Sequence, residues 1–319
     1  MEPIKRRGFA QPDRAAAETS VAAAVEADPE PFIQAYLADY RSFGGRYIAA
    51  DLFKETFEVY RASKDSRNRF NAPVHNTAAV LAAEMFRRML ADQNHPESDR
   101  VLFLTGTPGA GKTSSIIANK TKLHRSIRVV FEGQLSNLET TSEKIQQVLD
   151  AGLAPVILVV HVTPETALDN VITRFYEEGR GASINVMSDI QGKLPGTLAQ
   201  IQPLFEKVEL FVQDNRERLS PKQLAGWSHL AILESEGNHA EIKQRLHASL
   251  DRRHAAGAVS PCCYQQAIGG LPVQRDEQLD VVYQRKHKED GDRRGVSPED
   301  RQGSVLDDAV ASSRRKDQP

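Results

Sequence analysis

The chain has 319 residues, with 41 Lys and Arg against 43 Asp and Glu, so its formal net charge is −2. This balance argues against a protein that coats nucleic acid through bulk positive charge. The length is enough for one large domain or two small ones, and no stretch approaches the roughly 20 apolar residues that a membrane-spanning helix needs.

The cysteines and the first residues indicate a cytoplasmic protein. Only Cys262 and Cys263 occur, and they are adjacent, which excludes a disulfide framework and a cysteine-based zinc site. The first residues mix both charge signs and contain no apolar segment, unlike a secretory signal. We therefore expect reduced thiols, a cytoplasmic location and no membrane contact.

The pattern along the chain divides it into three regions. Residues 1–45 predict a helical region, and residues 46–270 predict a domain of alternating strands and helices. Residues 271–319 are densely charged with both signs and contain few apolar residues, which predicts a disordered tail.

Helix signals dominate the first hundred residues. Residues 31–43 predict an amphipathic helix, because Phe32, Tyr36 and Tyr40 recur at every fourth position. Residues 71–92 predict a second helix, with a proline in its first turn and apolar residues along one face.

From Arg100 onward, apolar runs alternate with amphipathic segments. Such alternation predicts a doubly wound, mostly parallel sheet with helices on both faces. The predicted strands are residues 101–106, 127–133, 154–162, 208–213 and 229–235. The predicted helices are residues 112–120, 140–152, 164–179, 187–207 (with a break at the Leu194-Pro195-Gly196 sequence) and 241–257.

A phosphate-binding motif follows the first of these strands. It reads Gly106-Thr107-Pro108-Gly109-Ala110-Gly111-Lys112-Thr113, matches G-x-x-x-x-G-K-[ST] in full and continues with Ser114. The loop backbone and the start of the next helix can surround a phosphate with N–H groups. Lys112 is expected to reach the β- and γ-phosphates of ATP, and the Thr113 hydroxyl is expected to hold Mg²⁺. The motif and its context predict a three-layer P-loop NTPase or kinase fold.

Two classes of P-loop protein fit the remaining sequence poorly. A motor ATPase needs an acidic pair at the end of a core strand, but the third predicted strand ends in His161-Val162-Thr163. A GTPase needs an Asn-Lys-x-Asp sequence, and the closest match, Asn119-Lys120-Thr121-Lys122, lacks the Asp. A small-molecule kinase remains; it needs a base for the acceptor hydroxyl, acceptor-binding groups and cations around the transferred phosphoryl group.

Two arginines are candidates for those cations. Arg174 and Arg180 would lie 240° apart on a continuous helix at about 100° per residue, so they could not face one ligand. Gly179 and Gly181 flank Arg180 and break the helix, so Arg180 could fold back over the phosphates as part of a closing lid. The alternative is an ordinary helix end, where a basic residue complements the helix dipole.

These segments together resemble the zeta toxin family of P-loop kinases over roughly residues 46–210. Besides the phosphate loop, the sequences that carry the resemblance are Asp51-Leu52-Phe53-Lys54 (the D-x-F-K signature), Ala72-Pro73-Val74-His75-Asn76, Phe131-Glu132-Gly133, Arg174-Phe175-Tyr176-Glu177 with Arg180, and Lys193-Leu194-Pro195. The combination of D-x-F-K, E-G and two arginines is more specific than the phosphate loop alone.

The resemblance implies an ATP- and Mg²⁺-dependent kinase that phosphorylates the sugar 3′-hydroxyl of UDP-N-acetylglucosamine. Such an activity starves peptidoglycan synthesis and is toxic to bacteria, so the resemblance also implies an antitoxin partner. Asp51 would be the catalytic base, and Lys112 would serve both nucleotide binding and catalysis. Arg174 and Arg180 would stabilise the transferring phosphoryl group. The acceptor-binding residues would be Asp51, Lys54, Glu132 and Gln134.

Two departures from the family leave alternatives open. The D-x-F-K segment precedes the phosphate loop here, whereas it follows the loop in the family, so Asp51 is either the base or an N-cap of the helix after it. Gln134 and Ser136 stand where the family commonly has Thr and Arg for the acceptor. Glu132 either binds the acceptor or coordinates Mg²⁺ through water.

Other functions also remain open on the sequence alone. The acceptor could be another nucleotide, a dinucleotide or a nucleic-acid end, although the near-neutral charge argues against nucleic acid. A non-catalytic module that binds ATP and docks a partner is the alternative from a different class.

Overall fold

The structure is a computed structural model that describes residues 1–92, 97–117, 125–217, 221–273 and 277–292. Within these ranges one six-stranded sheet forms the centre of the molecule. Its strands in chain order are β1 (Tyr47–Ala49), β2 (Arg100–Thr105), β3 (Ile127–Glu132), β4 (Ala154–His161), β5 (Glu209–Asp214) and β6 (Lys222–Ala225). In space the order is β1-β3-β2-β4-β5-β6.

Helices cover both faces of this sheet. They are α1 (Pro12–Ala27), α2 (Glu30–Ala38), α3 (Ala50–Phe53), α4 (Glu58–Arg61), α5 (Lys64–Phe70), α6 (His75–Ala91), α7 (Lys112–Ile117), α8 (Leu138–Asp150), α9 (Pro164–Glu178), α10 (Ile184–Leu204), α11 (Leu230–Glu234), α12 (His239–Ala255), α13 (Pro261–Ala267) and α14 (Glu277–Asp292). The first five strands of the spatial order run parallel, and only β6 is antiparallel to its neighbour. The predicted three-layer α/β class with a mostly parallel sheet is confirmed.

Burial explains why the central strands read as continuous apolar runs. Every residue of β2 is buried, as are nearly all residues of β3 and β4. Helices on both faces leave no solvent-facing side, so the alternation of a half-exposed strand is lost.

Strand β1 lies at the edge of the sheet, next to β3. Tyr47 pairs with Val130 and Ala49 with Glu132. On the free side of β1, the Tyr36 hydroxyl donates to the Tyr47 carbonyl at 2.7 Å and accepts from the Ala49 N–H at 3.0 Å. These two bonds satisfy backbone groups that an edge strand otherwise exposes.

The N-terminal residues share one hydrophobic core with the sheet. Ile4, Val21, Val25 and Ile33 are buried in the cluster that also contains the sheet residues. The helix predicted over residues 31–43 is shorter: α2 ends at Ala38, and a 3-10 turn (Tyr40–Ser42) follows. Tyr36 is fully buried, but Tyr40 is 81% exposed, so the four-residue aromatic spacing marks the buried face only as far as Tyr36.

The prediction of the last strand is wrong. The strand predicted over residues 229–235 is the helix α11, preceded by a 3-10 turn. Leu230 and Leu233 bury one face of it at helical spacing, a pattern that a short apolar run does not separate from a strand. The last strand is instead β6, a polar segment without a strand signal.

The predicted break in the helix of residues 187–207 is also absent, because α10 continues through Pro195. A proline removes one backbone hydrogen bond from a helix interior. Leu194, Leu198 and Ile201 are buried on the same helix, and their packing keeps it continuous.

Part of the predicted disordered tail is helical. Residues 277–292 form α14, and this helix packs against α9. The Thr173 hydroxyl lies 3.2 Å from His287 Nε2, and Lys288 Nζ lies 3.4 Å from a Glu177 carboxylate oxygen. The rest of the predicted tail, residues 293–319, lies outside the described residues. Across the part of the chain that is described, no helix is long and apolar enough to cross a membrane.

Candidate active site

The phosphate loop connects the carboxyl end of β2 to α7, and two of its glycines are required by close packing. All three glycines have positive φ angles, which are 139° at Gly106, 85° at Gly109 and 92° at Gly111. A Cβ atom on Gly106 would lie 2.3 Å from the Val160 carbonyl oxygen, and one on Gly109 would lie 2.3 Å from that of Ala167. A Cβ atom on Gly111 would meet nothing within 4 Å. The loop is therefore packed against β4 and α9 and open at Gly111, next to Lys112.

Side chains from elsewhere in the fold hold this loop. Asn170 Nδ2 donates to the Gly109 carbonyl at 2.7 Å, and the Thr107 hydroxyl lies 3.4 Å from the Met187 carbonyl. Lys112 curls back over the loop, and its Nζ donates to the carbonyls of Gly106 at 2.8 Å and Thr107 at 3.2 Å. The ammonium group thus lies at the centre of the loop, where a phosphate bound by the loop would meet it.

An acidic residue from β3 lies beside that ammonium group. Glu132 Oε1 is 3.8 Å from Lys112 Nζ, and the other carboxylate oxygen accepts a hydrogen bond from the Tyr47 hydroxyl. The Tyr47 hydroxyl is also 3.5 Å from Thr113 Oγ1. Burial lowers the pKa of Lys112, and the charge of Glu132 opposes that shift. Glu132 therefore lies on the nucleotide side of the site.

Asp51 lies in the first turn of α3, and it does not cap that helix. The N-cap residue is Ala49, and no side chain caps the helix. Asp51 Oδ1 is instead 2.8 Å from Lys54 Nζ, and Oδ2 is 3.3 Å from Arg180 Nη2. The N-cap alternative for Asp51 is therefore wrong.

The charges around Asp51 set its protonation state. The Lys54 ammonium group, followed by the guanidinium groups of Arg180 and Arg174, holds the pKa of the Asp51 carboxyl well below its ordinary value, although burial opposes this shift. The side chain remains 44% exposed, so the carboxylate is ionised and reachable from solvent.

Lys54 is buried beneath Asp51. Its Nζ donates to Asp51 and to Asn71 Oδ1, the latter at 2.7 Å. Burial lowers the pKa of the Lys54 ammonium group, and the Asp51 carboxylate opposes that shift. A buried lysine with two acceptors fixes the orientation of the carboxylate above it.

The turn after α9 brings Arg174 and Arg180 to the same place. The helix ends at Glu178, and Gly179 adopts φ 79° as its C-cap. Arg174 Nε then donates to the Arg180 carbonyl at 3.3 Å, while the Arg180 guanidinium contacts Asp51. The 240° separation expected on a continuous helix is removed by this turn.

The glycines of this turn are packed against neighbouring helices. A Cβ atom on Gly179 would lie 2.2 Å from the Lys64 carbonyl oxygen, and one on Gly181 would lie 2.1 Å from Gln266 Oε1. Lys64 Nζ also donates to the Tyr176 carbonyl at 3.0 Å. The turn is thus packed against α5 and α13, with Arg180 directed at Asp51.

Gln134 contributes to the site through its backbone. Its carbonyl accepts from the Thr105 hydroxyl at 2.9 Å, and its side chain is exposed. The next residue, Leu135, has φ 46° and is buried. The loop after β3 is therefore anchored to β2, and acceptor binding by the Gln134 side chain stays a prediction.

Positive charge exceeds negative charge in this part of the described structure. The cations are Lys54, Lys112, Arg174 and Arg180, and the anions facing them are Asp51, Glu132 and the half-exposed Glu178. Glu55 also acts on Arg180, but it is paired with a further cation, Arg67. One buried and three partly buried cations without an equal number of carboxylates form a site that favours a polyphosphate.

Sequence reasoning missed residues that hold the site together. Tyr47, Asn71 and Asn170 each make a hydrogen bond to a predicted site residue. The sequence contains no signal for them, because each contact depends on which strands and helices are neighbours in space.

Comparisons with known proteins identify no family. No family model and no curated protein matches the chain. A solved structure from the PezAT chromosomal toxin–antitoxin system of the human pathogen Streptococcus pneumoniae is similar, with a TM-score of 0.36 and 11% identity over 80% of this chain and 100% of that chain. At that TM-score the two chains superpose only loosely, so the fold assignment rests on the sheet topology described above.

Proposed function

We propose that this protein is an ATP-dependent kinase that transfers the γ-phosphoryl group to a hydroxyl of a small molecule. The observation that carries the proposal is the contact of Asp51 with Arg180, 3.3 Å apart, in one electrostatic cluster with Lys112 of the phosphate loop. A carboxylate, a lid arginine and a phosphate-loop lysine are the groups that phosphoryl transfer to a hydroxyl needs.

The residues of the loop fit ATP with Mg²⁺. Gly111 is open on the side where a Cβ atom would lie, the Lys112 ammonium group bonds to the loop carbonyls, and Thr113 lies at the start of α7. Residues 106–114 would bind the phosphates through backbone N–H groups, and Thr113 would be a metal ligand. Bound Mg²⁺ would neutralise charge on the β- and γ-phosphates.

Asp51 would orient the acceptor hydroxyl and receive its proton. In a loose transition state the proton moves late, so a carboxylate with a depressed pKa is sufficient. Arg180 and Arg174 lie beside that carboxylate. They would stabilise charge on the transferring group, and catalysis would consist of positioning and charge neutralisation.

For the acceptor we propose a sugar hydroxyl of UDP-N-acetylglucosamine or a related UDP-sugar, with the protein acting as a bacterial toxin that has an antitoxin partner. The resemblance of the D-x-F-K and arginine sequences to the zeta toxin family supports this part. The excess of cations is compatible with a diphosphate in the acceptor.

The proposal is tested by incubating the purified full chain with radiolabelled ATP and a panel of acceptors. The panel contains UDP-N-acetylglucosamine, other UDP-sugars, mononucleotides, a dinucleotide and an oligonucleotide. Label on a UDP-sugar supports the full proposal, and label on another member of the panel keeps the kinase but changes its acceptor. ATP binding without transfer to any acceptor contradicts the kinase and favours the non-catalytic docking module.

A further inference from the structure

Tyr47 is a buried residue of the edge strand whose side chain reaches into the nucleotide side of the site. It is only 1% exposed. In the parallel pairing of β1 with β3, Tyr47 lies opposite Val130 and Ala49 lies opposite Glu132. Alternate residues of a strand share a face, so Tyr47 and Glu132 are on the same face of the sheet.

The Tyr47 hydroxyl connects an acidic residue to the phosphate loop. It donates to Glu132 Oε2 and lies 3.5 Å from Thr113 Oγ1. The other oxygen of Glu132 is 3.8 Å from Lys112 Nζ. A tyrosine hydroxyl has one hydrogen to donate, and a carboxylate is a stronger acceptor than a hydroxyl. Tyr47 therefore fixes the orientation of the Glu132 carboxylate.

Among the described residues, Glu132 and Asp51 share no direct partner. The described hydrogen bonds and ion pairs of its side chain go to Tyr47 and Lys112. Asp51 instead pairs with Lys54 and Arg180. The Glu132 carboxylate is thus in direct contact with a phosphate-loop residue, and the Asp51 carboxylate is in direct contact with Arg180.

We propose that Tyr47 is a positioning residue that holds Glu132 beside Thr113, so that Glu132 serves the bound MgATP and does not bind the acceptor. The inference rests on the proposed function only in taking ATP with Mg²⁺ as the ligand of the loop. A carboxylate next to a metal-binding hydroxyl can accept hydrogen bonds from metal-bound water, and such outer partners orient the inner ligands. Edge strand β1 would thereby supply a residue of the nucleotide site.

Tyr36 provides a matched control on the same edge of the sheet. It is also fully buried, but within the described part of the chain its hydroxyl bonds only to the backbone of β1, at Tyr47 O and Ala49 N. Replacement of either tyrosine by phenylalanine removes one buried hydroxyl. Only the change at Tyr47 removes a partner of Glu132.

The test measures the affinity of the full chain for ATP in Mg²⁺ and in EDTA. The proteins are wild type, Tyr47→Phe, Glu132→Gln and Tyr36→Phe, and thermal unfolding verifies that each is folded. We expect the Mg²⁺-dependent gain in ATP affinity to fall about tenfold or more in Tyr47→Phe and Glu132→Gln, as for other outer partners of metal sites. Tyr36→Phe should keep the Mg²⁺-dependent gain in ATP affinity of the wild type.

Three results would overturn the inference: an unchanged Mg²⁺-dependent gain in Tyr47→Phe, no Mg²⁺-dependent gain in wild type, or a Glu132→Gln variant that changes only the KM of the acceptor. The readout is independent of phosphoryl transfer. If wild type transfers no phosphate and Tyr47→Phe still loses the gain, the kinase proposal fails and the role of Tyr47 stands.

Discussion

Asp51 Oδ2 lies 3.3 Å from Arg180 Nη2, although 129 residues separate the two in the chain. Asp51 follows the edge strand, and Arg180 follows the helix after β4. Strands β1 and β4 run parallel in one sheet, and the turn at Gly179 after α9 directs Arg180 at Asp51. A base candidate and a phosphoryl-stabilising candidate therefore meet beside the phosphate loop.

Replacement of Arg180 by alanine should reduce the transfer rate far more than the affinity for ATP. The guanidinium contacts Asp51 and not the phosphate loop, and loss of one preorganised donor to a transition state costs about 10²-fold in kcat. Steady-state kinetics and ATP titration of Arg180→Ala measure both quantities. Arg87→Ala, an exposed arginine paired with Glu84, serves as the control, and unchanged turnover with weakened ATP binding would contradict the assigned role.

Gly179 should tolerate alanine much less than Gly152 does. Both glycines have positive φ angles, 79° and 73°. A Cβ atom on Gly179 would meet backbone atoms of Lys64, whereas one on Gly152 would meet nothing within 4 Å. We expect Gly152→Ala to cost about 1 kcal/mol in the free energy of unfolding, for the strained angle alone, and Gly179→Ala to cost clearly more.

Urea unfolding of the two variants tests this prediction, with transfer activity measured in parallel. Because Gly179 sets the position of Arg180, Gly179→Ala should also lose activity at temperatures where it is folded. Equal destabilisation by the two substitutions would mean that the packing against Lys64 does not constrain the turn.

Two buried tyrosines should respond differently to phenylalanine. The Tyr60 hydroxyl is buried and has no hydrogen-bond partner among the described residues, while the Tyr36 hydroxyl makes two bonds to β1. Tyr60→Phe should leave the free energy of unfolding unchanged or slightly higher. Tyr36→Phe should lower it by about 1–3 kcal/mol, because two backbone groups lose their partner. Chemical denaturation of both variants measures these free energies of unfolding. A large loss of stability in Tyr60→Phe would reveal a partner for that hydroxyl and contradict the prediction.

The ion pairs of Asp51 should make the free energy of unfolding depend on pH. The neighbouring cations lower the pKa of Asp51 in the folded state below its unfolded value of about 3.9. The ionised carboxylate therefore contributes stability that is present above that value and is lost as the pH falls through the lower folded-state pKa. We expect the stability difference between wild type and Asp51→Asn to be largest above about pH 4 and to shrink in stronger acid. A difference that stays constant across this range would show that Asp51 does not titrate with a lowered pKa.

The sequence predicts the local features of this molecule but not which of its strands and helices become neighbours in space. The phosphate loop, β2 to β5 and the C-cap at Gly179 follow from apolar runs and glycine positions that act within a few residues. The pairing of β1 with β3 has no local signal, and without it neither Tyr47 beside Glu132 nor Asp51 beside Arg180 can be derived. Asp51 was singled out by family resemblance, and its ion pairs became visible only in the folded chain.

The wrong predictions of secondary structure have similar causes. Residues 229–235 are too short to distinguish a strand from a helix by periodicity, and polar β6 is held by pairing with β5 alone. Pro195 and the charged residues of α14 are kept helical by tertiary packing that outweighs their local preference.

The measurement that tests the central claim most directly compares wild type, Asp51→Asn and Asp189→Asn for ATP binding and for transfer of label from ATP to UDP-N-acetylglucosamine. Asp189 is a matched control, since it is 45% exposed and paired with a lysine, as Asp51 is. The proposed kinase predicts that all three proteins bind ATP, and that only Asp51→Asn loses transfer. Full transfer by Asp51→Asn would contradict the assignment of Asp51 as the base, and absence of transfer by wild type would contradict the proposed activity on this acceptor.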